Sequence, residues 1–530
     1  MPGVIAAGGP ETAVAGATIL QQGGNAVDAA VAAAFASFVA ETGVVHLGGS
    51  GIAHIYSPQT GRSVVYDFFS NMPGLGREAL PAHMDFAEVM IDFGATTQRF
   101  HLGRASVAVP GNIAGLCQMA ADFGRLPLAQ LLEPAIQLAR DGVAIHPFQA
   151  DTCDLLTPLY THTAGMREIF ARNGRIIQPY EHLHIPHLAE TLEALAKEGA
   201  DLARNGRLAQ AILDDQAAHG GLLTAEDLAR YRVRPLEPIR LPYREYEILL
   251  PPPSSTGGVL TAFALKLMAA FDVAQMAHGS AGHLQLLFEV MSAANRARRD
   301  WDMWQDSLPI DEAMARFLAD GYVFGYEAEV RAALLGRRPS PTTPEPIGPG
   351  NTSHLSVVDA DGLAVSLTTT AGESAGYVVP GTGYIPNNIC GEADLHPAGF
   401  HTRPAGQRIP TMMTPTIVLH KGQTRLVLGS GGSERIRSAI LQVLNNLLDY
   451  HMKLDEAVNI RRVHVENGVL QLEAGFDLAA AAELEGWGYA VNRWQNRSIY
   501  FGGAHSVSRT PAGRLVSAGD NRRGGSTAEA

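Results

Sequence analysis

Asn351-Thr352-Ser353-His354-Leu355-Ser356-Val357-Val358-Asp359 and Leu363-Ala364-Val365-Ser366-Leu367-Thr368-Thr369-Thr370 flank the short run Ala360-Asp361-Gly362. Threonine, valine and leucine suit strands, and a three-residue loop ending in glycine suits a hairpin with a left-handed last position. Pairing Asp359 with Leu363 sets Thr352 opposite Thr370, with Cβ atoms about 5 Å apart and hydroxyls within mutual reach. One chemistry uses such an arrangement. Cutting the Asn351–Thr352 bond gives Thr352 a free α-amine beside its hydroxyl, a base and a nucleophile in one residue. An α-amine has a pKa of about 7.7 to 8, so near neutrality it can accept the hydroxyl proton. Thr370 would then orient the Thr352 oxygen. Opposed threonines are also ordinary sheet contacts, so the spacing alone leaves a structural and a catalytic pair both open.

The elements around this hairpin read as a layered α/β (α+β) fold. Residues 10–40 predict one helix interrupted at Gly23-Gly24-Asn25, followed by the turn Leu47-Gly48-Gly49-Ser50-Gly51. Ile52 to Tyr56 and Ser63 to Phe68 predict a hairpin around a Pro/Gly turn. From Pro110 to about Val330 the pattern is mostly helical. Leu126, Leu131, Ala135 and Leu138 recur at helical spacing, Gly142 closes that helix, and Thr224 with Asp227 looks like a helix start. The stretch Arg337 to Gly350 holds Pro339, Pro341, Pro344, Pro346 and Pro349 and reads as an exposed linker leading into Thr352. Beyond the hairpin, Thr416 to His420, Thr424 to Leu428 and Ile499 to Ser508 read as strands, and Arg435 to Tyr450 as a helix.

Composition narrows the function classes. Over 530 residues, 40 basic against 53 acidic side chains leave a net charge of −13, which argues against a nucleic-acid binder. With 46% hydrophobic residues the chain can bury a large core. Three scattered cysteines make no disulfide framework and fit a reducing compartment. The longest apolar stretch, Ala29 to Ala40, is too short to span a membrane. Met1 to Ala6 lacks the basic region of a secretory signal, so a cytoplasmic location is expected. His182, His184 and His187 do not have a standard zinc spacing, and neither a metal nor a cofactor is expected.

Several ordered motifs resemble those of the γ-glutamyltransferase family of N-terminal-nucleophile (Ntn) hydrolases, over nearly the whole chain. They are Gly3-Val4-Ile5-Ala6-Ala7, Gly23 to Ala30, Val109-Pro110-Gly111, Gly124-Arg125-Leu126-Pro127, Leu138 to Gly142, Pro251 to Ser255, Thr414-Pro415-Thr416-Ile417-Val418, Phe501 to His505 and Asp520 to Arg523. The resemblance implies a four-layer αββα sandwich from an autocleaved precursor, with residues 1–351 as large subunit and 352–530 as small subunit. It puts the nucleophile on Thr352, with Asn351 preceding the cut, and the orienting threonine on Thr370. It puts the oxyanion hole on backbone N–H groups of Gly432 and Ser433, or of Gly431 and Gly432 after a one-residue shift. Unpaired donors at a helix start suit that role.

The departures cluster in the family's glutamate-binding set. Phe69 stands where an arginine clamps the α-carboxylate, and an apolar ring cannot replace a guanidinium. Thr411 and Met412 replace a serine pair, and Gly372 replaces an asparagine. Of the two residues that hold the amino group, only Glu392 keeps the chemistry, with Ile389 near the other place. The segment Asp394 to Arg408 is a short lid without tyrosine. Arg403, Arg408, Arg435 and Arg437 lie in segments that could meet a carboxylate, each with a solvated surface charge as the plainer alternative. The set implies an autoprocessing threonine amidohydrolase acting on a small amide with a non-standard acyl group. It resembles a branch that includes oxamate amidohydrolase, with cephalosporin-type acylases as another. A true γ-glutamyltransferase with rearranged recognition and an unprocessed binding protein are the alternatives. The expected partners are a small-molecule substrate and the two subunits of one precursor, and a homodimer or higher oligomer is compatible with them.

Overall fold

The computed structural model describes residues 2–92, 97–343, 351–396 and 398–530. Two sheets stack face to face between layers of helices. The first has seven strands, in the order Arg234–Leu236, Arg62–Phe68, Ser50–Ser57, Ala364–Thr370, Ser353–Asp359, Gly3–Ala7 and Ser526–Glu529. The second has six, in the order Ile239–Tyr243, Tyr246–Leu250, Thr416–His420, Gln423–Leu428, Ser506–Arg509 and Leu515–Ala518. Val4, Ala6, Val358, Ala364, Ile417, Val427 and Val507 fill the space between the sheets. Helices Pro10–Gln21 and Ala26–Ala40 cover the outer face of the first sheet, and Thr256–Ala269 and Arg435–Leu448 cover the second. This is the expected αββα sandwich.

Local signals explain most elements. The Asn25 side chain accepts the N–H groups of Val27 and Asp28, and Asp28 returns a bond to the Asn25 N–H. That reciprocal cap starts a new helix, so residues 10–40 form two helices rather than one interrupted helix. The Ala26 N–H also donates to Asp359 at 3.0 Å, tying this helix to the end of the nucleophile hairpin. Gly142 closes its helix at φ +74°, and Thr224 and Asp227 form a full capping box.

The expected helical region conceals, besides four two-residue strands between Val143 and Leu183, the longer strands Arg234–Leu236, Ile239–Tyr243 and Tyr246–Leu250. Ile239–Tyr243 alternates buried and exposed residues, a period-2 pattern that the longer helical context masks. The stretch expected as a strand near residue 499 opens as a short 3-10 turn, Ile499–Phe501, and becomes a strand only at Ser506–Arg509. Gly502 at φ +79° breaks the extended run. Residues 337–343 of the proline-rich stretch are exposed or half-buried, while Pro344, Pro346 and Pro349 lie outside the described residues. No helix among the described residues is long and apolar enough to cross a membrane.

Candidate active site

The hairpin Ser353–Thr370 has the expected register. Ser353 pairs with Thr369 and His354 with Thr368, so Thr352 faces Thr370 across the next rung. Gly362 turns the chain at φ +84°, and its N–H bonds the Asp359 carbonyl at 3.0 Å. Thr352 is 5% exposed. In the uncut chain the Thr370 hydroxyl, expected to orient the Thr352 oxygen after cleavage, donates to the Asn351 carbonyl oxygen at 2.6 Å. It also accepts the Gly372 N–H at 3.1 Å. The peptide bond is intact, so its carbonyl is the strong acceptor at this end of the hairpin. Among the described residues the Thr352 hydroxyl has no hydrogen-bond partner.

Strand alternation separates the neighbours of Thr352 into two sets. Ser353 points to the helices, where its hydroxyl donates to Glu41 at 2.6 Å, and Glu41 also accepts the Thr12 hydroxyl at 2.6 Å. His354 points to the second sheet, with its ring against Gly429 and bonds to the hydroxyls of Thr368 at 2.8 Å and Ser356 at 3.0 Å. Burial holds its pKa well below the ordinary value, so the ring is neutral. The structure locks it one rung deeper as packing between the sheets.

The turn Gly429 to Ser433 crosses above Thr352. A side chain at Gly431 would strike the Thr352 carbonyl, so only glycine allows this approach. Ser430 fixes the turn by accepting the Gly503 N–H at 3.1 Å and donating to the Gly431 carbonyl at 2.9 Å. The Gly431 N–H is used by the Gly503 carbonyl at 3.3 Å. Neither the Gly432 nor the Ser433 N–H meets an acceptor among the described residues. Of the two expected donor pairs, only Gly432 and Ser433 therefore has both groups free. Gly432 sits at φ +120° and Ser433 at φ +49°. The Ser433 hydroxyl anchors the turn on Asp394 at 2.6 Å, so the first residue of the expected lid supports this turn.

The substituted recognition positions are packed rather than open. Phe69 is buried with Met72, Ile389, Cys390, Ile409, Met412 and Met413. Its carbonyl accepts from Tyr231 and from the buried Arg408, whose Nε lies 3.5 Å from Asp67. Gly372 sits at φ +66°, and the place its side chain would take is filled by Asn388 and Glu392. Burial pushes the Glu392 carboxyl well above the usual carboxylate range, and its Oε1 has no partner among the described residues. Thr411 accepts the Met413 N–H at 3.3 Å.

Three of the four arginines offered for a carboxylate are buried, not surface charges. Arg408 answers Asp67, and Arg437 binds Glu434 and Asn295. Arg435 lies 5.0 Å over the Tyr500 ring. Arg403 alone is half-exposed.

Two site groups escape the sequence reading. Glu373 accepts the Asn351 N–H at 2.8 Å and is held by its own N–H on Asn388 at 2.7 Å. Burial pushes its carboxyl up to about 8, against the pull of Arg523. The Arg523 guanidinium lies beside Gly431 and Gly432, and burial with Arg435 nearby lowers its pKa to about 10. A glutamate three residues past a threonine-rich strand was the only available signal for the first. The second hid inside the matched motif Asp520 to Arg523. Among the described residues no cluster of His, Cys, Asp and Glu is placed to hold a metal ion.

Known proteins share this frame. The family model described as Gamma-glutamyltranspeptidase matches residues 12–530. The chain is 35% identical to the acylase ACY 1 proenzyme of Pseudomonas sp. (strain SE83), over 97% of this chain and 91% of that protein. It is 30% identical to the glutathione hydrolase proenzyme of Escherichia coli (strain K12), over 96% of this chain and 88% of that protein. The crystal structure of cephalosporin acylase from Bacillus halodurans superposes with a TM-score of 0.83 at 26% identity, covering 100% of this chain and 96% of that one. The sandwich, the nucleophile hairpin and these matches together make the chain a member of the gamma-glutamyltranspeptidase family of Ntn hydrolases.

Proposed function

We propose that this protein is an autoprocessing threonine amidohydrolase for a small amide whose acyl group is not γ-glutamyl. The observation that carries the reading is the Thr370 hydroxyl on the Asn351 carbonyl, beside a turn with two free N–H groups. Attack of the Thr352 hydroxyl on that carbonyl carbon forms an ester and frees the Thr352 amine. Water then releases Asn351 as a carboxylate, leaving residues 1–351 and 352–530 as two subunits. In turnover the freed amine takes the Thr352 hydroxyl proton, and the hydroxyl oxygen attacks the substrate amide. The N–H groups of Gly432 and Ser433 meet the developing oxyanion, the leaving amine departs protonated, and water hydrolyses the acyl-enzyme. The relatives named as proenzymes support processing, and the relative named as an acylase supports transfer of an acyl group to water or another acceptor. The packed Phe69 and the filled space at Gly372 speak against a glutamyl pocket.

Intact mass after incubation at neutral pH tests the first step. From 56.4 kDa, the cut gives fragments of roughly 37 and roughly 19 kDa, the smaller beginning with threonine. Thr352→Ala should stay whole and inactive, and an active, cleaved Thr352→Ala protein refutes the mechanism. A second reading, a true γ-glutamyltransferase, is favoured by the 30% identity to glutathione hydrolase. Release of glutamate from glutathione faster than ammonia from any small primary amide would move it ahead.

A further inference from the structure

Asn351 is the one acyl group that the structure shows in front of Thr352. Its carbonyl oxygen receives the Thr370 hydroxyl at 2.6 Å. Its N–H, borne on the carbon next to that carbonyl, goes to Glu373 Oε1 at 2.8 Å. Glu373 is only 3% exposed, and its Oε2 has no partner among the described residues. Its backbone is fixed by Asn388, so the carboxyl is held in place rather than free to swing to water. Around it stand the carboxyls of Glu392 and Asp394 and the guanidinium groups of Arg523 and Arg435. When Asn351 leaves after cleavage, Oε1 loses its donor and a buried carboxyl is left with two unmet oxygens. That is costly unless the next acyl group supplies a donor at the same place.

Building on the proposed amidohydrolase, we infer that Glu373 is a specificity-determining residue for the atom next to the attacked carbonyl. The preferred acyl groups carry a hydrogen-bond donor, amino or hydroxyl, on the carbon bonded to that carbonyl. Asn351 is the internal template for them. A 2-amino or 2-hydroxy acyl group restores the bond to Oε1 while its carbonyl takes the place of the Asn351 carbonyl. An acyl group with a methyl there leaves Oε1 unmet, and one with a carboxylate there brings no donor to Oε1.

Four small primary amides with one readout, ammonia release, test this on processed wild-type protein: glycinamide, glycolamide, propionamide and oxamate. Glycinamide or glycolamide should exceed propionamide in kcat/KM by about tenfold to a hundredfold, the cost of leaving one buried acceptor of Glu373 unmet. Glu373→Gln keeps the shape and should shrink that ratio severalfold, and Glu373→Ala should abolish it. Propionamide or oxamate turning over at least as well as the two donor amides overturns the inference without any variant. Processed protein that acts on none of the four overturns it as well, while the observed cleavage keeps Thr352 as the processing nucleophile. An unprocessed chain sinks the reading on which the inference rests.

Discussion

Replacing Thr370 by valine keeps the volume and the strand preference and removes only the hydroxyl. Two bonds disappear: 2.6 Å to the Asn351 carbonyl and 3.1 Å from the Gly372 N–H. The second leaves a buried N–H unmet and costs about 1–2 kcal/mol of stability. The first matters more as negative charge grows on the carbonyl oxygen. A donor aimed at a developing oxyanion contributes about 3–4 kcal/mol, so self-cleavage should slow by about 10²–10³-fold. Cell-free synthesis followed by timed quenching and intact-mass measurement would give the rate at which full-length chain becomes two fragments. Thr370→Ser restores the hydroxyl without the methyl and should stay within about tenfold of wild type. A folded Thr370→Val protein that cleaves at the wild-type rate would refute the argument that this hydroxyl stabilises the carbonyl during attack.

The Glu373 carboxyl also predicts a pH dependence of stability. Its pKa rises from 4.5 to about 8 on folding, so between those values the folded chain keeps a proton that the unfolded chain has lost. Stability therefore falls with rising pH across that window, by a few kcal/mol in all, and does not change below it. In the Thr352→Ala background, which keeps Asn351 attached, Glu373→Gln should melt like its parent near pH 4 and above it near pH 8. Gly372→Asn would restore the family's side chain at a position where Asn388 and Glu392 already fill the space. It should lower the melting temperature by several degrees and give no measurable glutathione hydrolysis, and a stable variant that gains that activity would contradict the packing argument.

The hairpin was legible because register follows from one loop: Gly362 fixes the turn, and everything up to Thr352 and Thr370 is then counted out. The helix boundary at Asn25 was half-legible, since its motif was visible and its capping role was not. Strands 239–250 were lost because five-residue segments carry little periodic signal beside long helices. In the site, sequence position located Thr370 but not its acceptor, because an uncut carbonyl competes with a hydroxyl for the same donor. Glu373 and Arg523 stayed hidden for another reason. They come from two separate segments, and their meaning lies in mutual distance and shared burial, which no local spacing encodes.

The order of strands in the first sheet has a consequence for what a cut chain can do. Gly3–Ala7 lies between Ser353–Asp359 and Ser526–Glu529, and Ser50–Ser57 borders Ala364–Thr370. Each piece on either side of residue 351 thus completes the other's sheet. A nicked molecule would migrate and sediment as one particle, held by ladders rather than by a covalent link. Denaturation would erase that history. Two solutes would then have to find each other, so recovery would become second order in protein while the uncut precursor refolds in first order. Self-cleavage would then act as a one-way ratchet, assembled once within a single chain and not readily assembled again.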